Sequence, residues 1–393
     1  MTSSWKIVKL EDIATIERGK FSARPRNDPR YYGGHIPFLQ TGDVATATGI
    51  IHSFSQTLNE QGLEVSKLFP AGTLLITIAA NIGDVAEAGF DFACPDSLVA
   101  VQPHEGINKN WLKFLLQTKK SYFESRATQN AQANINLQTI RPLKVPLPTE
   151  NEQLQIANII STWDTAIEKT ERLIAAKEEV KKGHMQRLLT GKCRLKGFSK
   201  PWKEYHLGDL FKERTERVNN HLPLLSITRE EGVIPRDDVG RKDTSNEDKS
   251  KYLRICPGDI GYNTMRMWQG VSALSIYEGI VSPAYTIATP KKSVDGEFIA
   301  YLFKLPKTIH LFYRYSQGLT SDTWNLKFRH FREIKVSIPE IDEQKAIAQV
   351  FKTCDAELSL HRKKLAALQK QKRGLMQKLL TGQWRVKVPG EVE

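Results

Sequence analysis

The feature that most constrains this chain is that it is written twice. Glu152-Gln-Leu-Gln-Ile-Ala-Asn returns as Glu343-Gln-Lys-Ala-Ile-Ala-Gln, and Met185-Gln-Arg-Leu-Leu-Thr-Gly191 returns as Met376-Gln-Lys-Leu-Leu-Thr-Gly382. Glu152 to Glu343 and Gly191 to Gly382 are both 191 positions apart. A second signature opens each half, Trp5-Lys-Ile-Val-Lys-Leu-Glu-Asp and Trp202-Lys-Glu-Tyr-His-Leu-Gly-Asp. Self-similarity of this kind sets the architecture before any element is assigned. The expected order is a globular domain (residues 1–148), a long helix (149–191), a second globular domain (192–338), a second long helix (339–382) and a C-terminal tail (383–393).

The helical segments share one register. Ile347, Phe351, Cys354, Leu358, His361, Leu365, Leu368, Lys372, Leu375 and Leu379 alternate by four and three. Subtracting 191 gives Ile156, Ile160, Trp163, Ile167, Thr170, Ile174, Lys177, Lys181, His184 and Leu188. That is a coiled-coil seam, polar in the second half of the first helix. Lys177, Lys181 and His184 there either meet a partner or snorkel past the seam. Thr149-x-x-Glu152 reads as a capping box, and Gly191 and Gly382 stand where a glycine ends a helix. Glu168–Arg172 and Glu178–Lys182 read as four-apart ion pairs. About 40 residues of helix span roughly 60 Å, longer than one such domain is wide. Chain order then requires the helices, if they pair, to run antiparallel with a globular domain at each end, related by a pseudo-two-fold axis. The tail repeats the segment that leads into Trp202, so it is expected beside the N-terminus.

The globular parts read as mixed α/β, giving an α+β chain. Candidate strands include Thr73-Leu-Leu-Ile-Thr-Ile, Leu98-Val-Ala-Val and Ile280-Val-Ser-Pro-Ala-Tyr-Thr-Ile, and candidate helices span 110–121 and 296–305. Each domain ends on an extended Lys-Val-x-x-Pro segment, Lys144–Pro148 or Lys335–Pro339. A net charge of +13 points to a polyanion, with nucleic acid ahead of a merely soluble basic protein. Polar and basic loops supply candidate contacts: Arg18, Lys20, Arg24, Arg26, Gln40, Thr41, Asn81, Gln129, Asn130, Gln132 and Asn134 in the first domain. The second offers Arg217, Ser226, Arg229, Asn263, Arg266, Gln317, Thr320, Ser321 and Thr323. Arg, Asn and Gln match the donor–acceptor patterns of base edges, and Ser, Thr and Lys suit phosphates. A single loop of this kind is more often an ordinary solvated turn.

Motifs for chemistry are missing. There is no phosphate-binding G-x-x-x-x-G-K-[ST] loop, no G-x-G-x-x-G, no H-E-x-x-H and no G-x-S-x-G. The four cysteines (Cys94, Cys193, Cys256, Cys354) lack metal or disulfide spacing. Asp322 with Glu333-Ile-Lys335 faintly suggests a metal-dependent nuclease, but a Mg²⁺ site needs clustered carboxylates. No metal site is expected. No apolar run approaches the ~20 residues of a membrane span, and the opening Met1-Thr-Ser-Ser-Trp-Lys has no signal pattern, so a cytoplasmic location is expected.

Taken in order, Ile36-Pro-Phe-Leu-Gln-Thr-Gly-Asp43, Pro70-Ala-Gly72, Asn81-Ile-Gly83, Asn134-Ile-Asn-Leu137, Trp324-Asn-Leu326, the Pro-x-x-x-Glu-Gln steps at Pro148 and Pro339, and both Leu-Leu-Thr-Gly endings resemble the specificity (S) subunits of type I restriction–modification systems. The second domain departs from that pattern with Pro223-Leu-Leu-Ser-Ile-Thr-Arg229. The resemblance implies two target recognition domains reading the unlike halves of a bipartite, asymmetric double-stranded DNA site about one duplex turn apart (~34 Å), with the helices as a ruler. It further implies two methyltransferase (M) subunits using S-adenosylmethionine and two ATP-driven translocase/nuclease (R) subunits. The chain would then be no enzyme, and S-adenosylmethionine, ATP and Mg would belong to partners. Two other readings stand beside it: a standalone metal-dependent nuclease, and a structural tether whose ends bind protein.

Overall fold

The Trp signatures and the Lys-Val-x-x-Pro segments are two sides of one device. Lys6–Lys9 pairs antiparallel with Lys144–Leu147, and Lys203–His206 pairs in the same way with Lys335–Ile338. Each globular part is thereby pinned shut where its long helix departs. The computed structural model describes residues 5–127, 134–217, 222–240 and 248–387. The chain divides into two compact units, Met1–Thr170 with Lys364–Glu393, and Glu171–Lys363.

In the first unit a five-stranded sheet has the order Ala14–Arg18, Leu98–Pro103, Leu74–Thr77, Val85–Ala88, Ile50–Ile51. A four-stranded sheet orders Gln56–Leu58, Tyr32–Phe38, Phe92–Ala93 and Leu68–Phe69. Leu74–Thr77 and Val85–Ala88 are buried throughout, so they read as apolar runs rather than alternating strands. In the second unit the larger sheet orders Phe211–Glu213, Tyr285–Pro290, Ile260–Asn263 and Ser272–Leu274, flanked by two strand pairs. The fold is the expected mixed α+β.

Three local expectations need correction. Residues 280–287 are not one strand: Gly279–Val281 and Tyr285–Pro290 lie in different sheets, divided by a Ser282–Tyr285 turn around Pro283. Proline has no N–H for a ladder, which favours a break there. The helix expected over 110–121 stops at Gln117, and a second runs from Lys120 to Ala127. The helix expected over 296–305 stops at Leu302, and Pro306 starts another that continues to Tyr315. Proline at the first helical position is preorganised to begin a helix, not to extend one.

The long helices run Glu150–Leu188 and Ile341–Leu380. The first unit holds the start of one and the end of the other. Glu152 pairs with Arg385, just past the end of the second helix, and Asp164 further along the first helix pairs with Lys372 earlier in the second, so the segments are antiparallel. In the second unit Lys181–Asp355 and Glu178–Arg362 define the same sense. Burial differs along the seam positions. Ile156, Ile160, Ile174, Leu188, Ile347, Phe351, Leu358 and Leu379 are buried. Trp163, Ile167, Leu365, Leu368 and Leu375 are half-buried. Each fully buried Ile or Phe contributes roughly 1.5–3 kcal/mol.

The polar seam positions are satisfied inside the unit. Lys181 reaches Asp355 at 2.5 Å and lies 5.3 Å from the Tyr301 ring centre. Lys177 reaches Glu357 at 2.6 Å. Lys372 repeats the Lys181 arrangement with Asp164 and the Phe114 ring. His184, by contrast, is exposed, and Met185 packs on the core instead. Glu178 pairs with Arg362 rather than Lys182, which meets Glu179.

Candidate nucleic-acid interface

Strand direction decides which loops share an end of a sheet. In the first unit, Arg18 ends its strand opposite Val99, and Thr77 ends its strand opposite Leu98. The Arg18–Arg26 loop, the Asn81 loop and the Cys94–Ser97 turn therefore emerge together. Ile78 N–H donates to Ser97, Ile135 N–H donates to Ile78, and Asn134 bridges Ala79, which brings the Asn134 segment to the same place. Phe38 pairs in parallel with Ala93, so Gln40 and Asp96 lie just beyond the same ends of their strands. Asp96 organises the cluster: its carbonyl accepts from Arg18 at 2.5 Å and its carboxylate holds Arg26 at 2.9 Å.

Individual candidates differ in freedom. Arg24 donates to the Phe21 and Ala23 carbonyls. Gln40 is tied into a capping box with Asp43 and bonds Gln56, and Thr41 begins the helix that follows. Lys20 is exposed, with no side-chain ion pair among the described residues. Gln129, Asn130 and Gln132 lie outside the described residues.

The second unit repeats the logic with other residues. Asn263 ends its strand opposite Tyr285, and Arg217, past the end of Phe211–Glu213, bridges Leu253. Thr264 N–H donates to Ala284, and Leu326 N–H donates to Thr264 at 2.8 Å, which docks the Gln317–Asn325 loop on the Asn263–Trp268 loop. Trp324 meets Trp268 edge-on at 5.1 Å and Tyr313 at 4.9 Å. Arg217 and Arg266 are exposed; Arg229 is exposed beside Glu230. Gln317, Thr320, Ser321 and Thr323 are exposed in one turn, where Thr323 Oγ1 donates to the Thr320 carbonyl at 2.9 Å. Ser226 does not fit the expectation. It is 5% exposed on the strand Leu225–Ile227, at 3.4 Å from Arg236, so its hydroxyl faces the protein.

Two contributors escaped the sequence reading because their partners are distant in the chain. One is Asp96. The other is Lys304, whose ammonium donates to the carbonyls of Arg229 (3.4 Å), Gly270 (3.0 Å) and Ser272 (2.8 Å). It ties the Arg229 loop to the turn that follows Arg266. Burial, with Arg229 nearby, pushes its pKa down to about 8, and Glu230 opposes weakly. Two of the nuclease trio are otherwise engaged: Lys335 pairs with Glu204 and Glu333 with Arg332. No cluster of three metal-ligating side chains occurs among the described residues. None of their helices is long and apolar enough to cross a membrane.

The Glu-Gln step that begins each long helix is structural. Gln153 accepts from Asn108 N–H at 2.8 Å and donates to Pro148, and Gln344 accepts from Asp295 N–H at 2.9 Å and donates to Pro339. Asn108 and Asp295 are themselves the caps of the helices Lys109–Gln117 and Gly296–Leu302. The repeated motif thus locks helix to domain.

The family model for the type I restriction modification DNA specificity domain matches residues 2–178 and again 199–370. The type I restriction enzyme MjaVIII specificity subunit of Methanocaldococcus jannaschii is 24% identical, over 98% of this chain and 93% of that protein. The crystal structure of a type I restriction–modification S subunit from M. genitalium has the same fold, with a TM-score of 0.57 at 16% identity and 96% of each chain covered. A chain from a structure of type I complex assembly and conformational transition superposes with a TM-score of 0.59 at 13% identity, over 98% of this chain and 99% of that one. The chain belongs to the type I restriction modification DNA specificity domain family, as a specificity subunit that selects DNA and is not itself an enzyme.

Proposed function

We propose that the chain reads a bipartite, asymmetric site on double-stranded DNA, residues 1–148 reading one half and 192–338 the other. One observation carries this reading: in each unit the candidate loops gather at one end of the larger sheet, yet the two sets share almost no residues. Like frames with unlike tips fit unlike half-sites. Contacts in the first half would come from Arg18, Lys20, Arg24, Arg26, Gln40, Thr41, Asn81 and Asn134. Those in the second would come from Arg217, Arg229, Asn263, Arg266, Gln317, Thr320, Ser321 and Thr323. Arginines are suited to guanine and amides to adenine. The helical segments 149–191 and 339–382 would set an unread spacer.

Two methyltransferase subunits would dock on those segments and bring S-adenosylmethionine, and two translocase/nuclease subunits would bring ATP and Mg. All chemistry then lies in partners in the cytoplasm. Selection from random duplexes, using the chain assembled with its methyltransferase, tests the proposal. A split motif with a spacer of fixed length supports it, and a contiguous motif or no enrichment overturns it. Chain alone with Mg²⁺ and DNA gives no cleavage on this reading; cleavage would restore the nuclease reading.

A further inference from the structure

The DNA-facing end proposed for the second unit carries an apolar residue that hydrogen bonding to bases does not explain. Gln317 and Asn325 exchange both backbone hydrogen bonds at 2.8 Å, which closes the loop at its base. The Asn325 amide donates to the Gln317 and Thr323 carbonyls at 3.1 Å. Thr323 N–H donates to Thr320 at 2.9 Å across the tip. Gly318 adopts φ +140°, and a Cβ there would come within 2.7 Å of the Thr323 backbone. The loop is therefore cross-braced, and its base rests on the Trp324–Trp268–Tyr313 aromatic cluster. At its apex Leu319 is 100% exposed, and Met265 on the neighbouring loop is 37% exposed.

A leucine displayed by a braced loop is a preorganised apolar contact, because little conformational freedom remains to be lost on binding. Its surroundings select the partner. Residues 311–333 hold Arg314, Lys327, Arg329 and Arg332 against Asp322 and Glu333, and with Arg332 paired to Glu333 the remaining Arg314, Lys327 and Arg329 outnumber Asp322, a basic setting suited to a phosphate backbone. The apolar group that DNA offers on a base edge is the thymine 5-methyl in the major groove. We propose that Leu319 is a specificity-determining residue that reads one thymine, through its methyl group, in the half-site bound by the second unit. This rests on the DNA-reading function proposed above.

Deoxyuridine in place of thymine tests it, since it removes only the methyl. The chain assembled with its methyltransferase binds duplexes in which each thymine of the second half-site is replaced in turn. One position is expected to weaken binding by about fourfold, the scale of one buried methyl. Leu319→Ala, a change at a fully exposed site, binds more weakly and no longer distinguishes thymine from uracil there. Its response in the first half-site stays unchanged. The proposal is overturned if Leu319→Ala keeps the uracil penalty, or if no position in the second half shows one. It is also overturned if 2-aminopurine beside the position brightens in the wild-type complex, because Leu319 would then be a wedge between unstacked bases. Absence of any sequence-selective binding would instead defeat the underlying DNA reading, and Leu319 with it.

Discussion

Both units close with the same four groups, assembled by different routes. In the second, Arg194 grips Glu343 through Nε and Nη2 at 2.6 Å each, beside the Trp202 ring, and Gly191 packs on that ring. In the first, Arg385 grips Glu152 at 2.8 and 2.6 Å, beside the Trp5 ring, with Gly382 against it. Arg194 reaches its place because the chain continues from Gly191 through Arg194 to Trp202. Arg385 and Trp5 come from opposite ends of the sequence and meet without a covalent link. The comparison teaches that the repeat's unit of structure is this closure, and that a peptide connection is dispensable to it.

Breaking the closure should have the largest effect. Glu152 is 5% exposed, and Glu343 is 3% exposed. Arg385→Ala leaves a buried carboxylate without its cation and is expected to cost about 3 kcal/mol. Hydrogen exchange should localise the loss to Lys6–Lys9 and Lys144–Leu147, while Arg194→Ala loosens Lys203–His206 and Lys335–Ile338. Equal loosening of both units by either change would refute separate closures. Burial raises the Glu152 pKa, but the Thr149 N–H, Arg385 and Trp5 outweigh it and hold it below the usual range. Its contribution is therefore present above the unfolded carboxylate pKa and disappears as pH falls through the lowered folded value. Arg385→Ala should move the acid-unfolding midpoint upward. A circular permutant opened between 192 and 201, with the old ends joined, sharpens the point: it should fold, and the non-covalent closure should pass to the second unit. An insoluble permutant would show that the two connections are not equivalent.

The second contrast lies beneath the recognition loops. Gln117, in the first unit, donates to one carbonyl, that of Val85 at 3.3 Å. Lys304 follows the corresponding helix of the second unit and serves three carbonyls with a charge. Because its pKa is lowered to about 8, the folded unit releases a proton before the unfolded chain does. Stability should then rise as pH climbs from about 8 toward the unfolded lysine value near 10.4, by on the order of 3 kcal/mol. Lys304→Gln, which copies the amide of Gln117, should flatten that slope in urea titrations. An unchanged slope would mean that another group titrates.

These contrasts also show what sequence could and could not reveal. The seam was legible because burial along a helix follows a period, and Ile156 or Phe351 declares itself within two turns. Gly191 and Gly382 were legible for the same local reason, and both adopt positive φ. The Glu-Gln step was visible only as a recurrence, since Glu152 meets Arg385 across 233 positions and Gln153 meets Asn108 across 45. The loops could be recognised by composition, but their gathering at one sheet end depends on strand direction. Ser226 looked like a loop hydroxyl until its strand turned it inward. Leu319 carried no signal, because an apolar residue in a polar loop is conspicuous only once the loop is known to be braced.

The smallest expected difference is also the most discriminating. Trp5 Nε1 donates to Glu152 Oε2 at 3.0 Å, whereas the buried Trp202 Nε1 has no hydrogen-bond partner among the described residues. The cause lies in the carboxylates. Arg194 occupies both oxygens of Glu343, while Arg385 takes only Oε1 of Glu152 and leaves Oε2 to Trp5 and the Thr149 N–H. Glu340 stands where Thr149 does in the first half and pairs outward with Lys200 at 2.7 Å, so the second helix has no hydroxyl cap to share. Trp→Phe removes the same ring volume at both sites, so the cavity cost is common and cancels in the difference. Trp5→Phe also loses a hydrogen bond to a charged group, whereas Trp202→Phe removes an N–H that is already unsatisfied. Trp5→Phe should therefore cost about 1 kcal/mol more than Trp202→Phe, read as the gap between their urea midpoints. Equal costs would mean that Trp202 has an acceptor after all, and that the two closures are more alike than their geometry indicates.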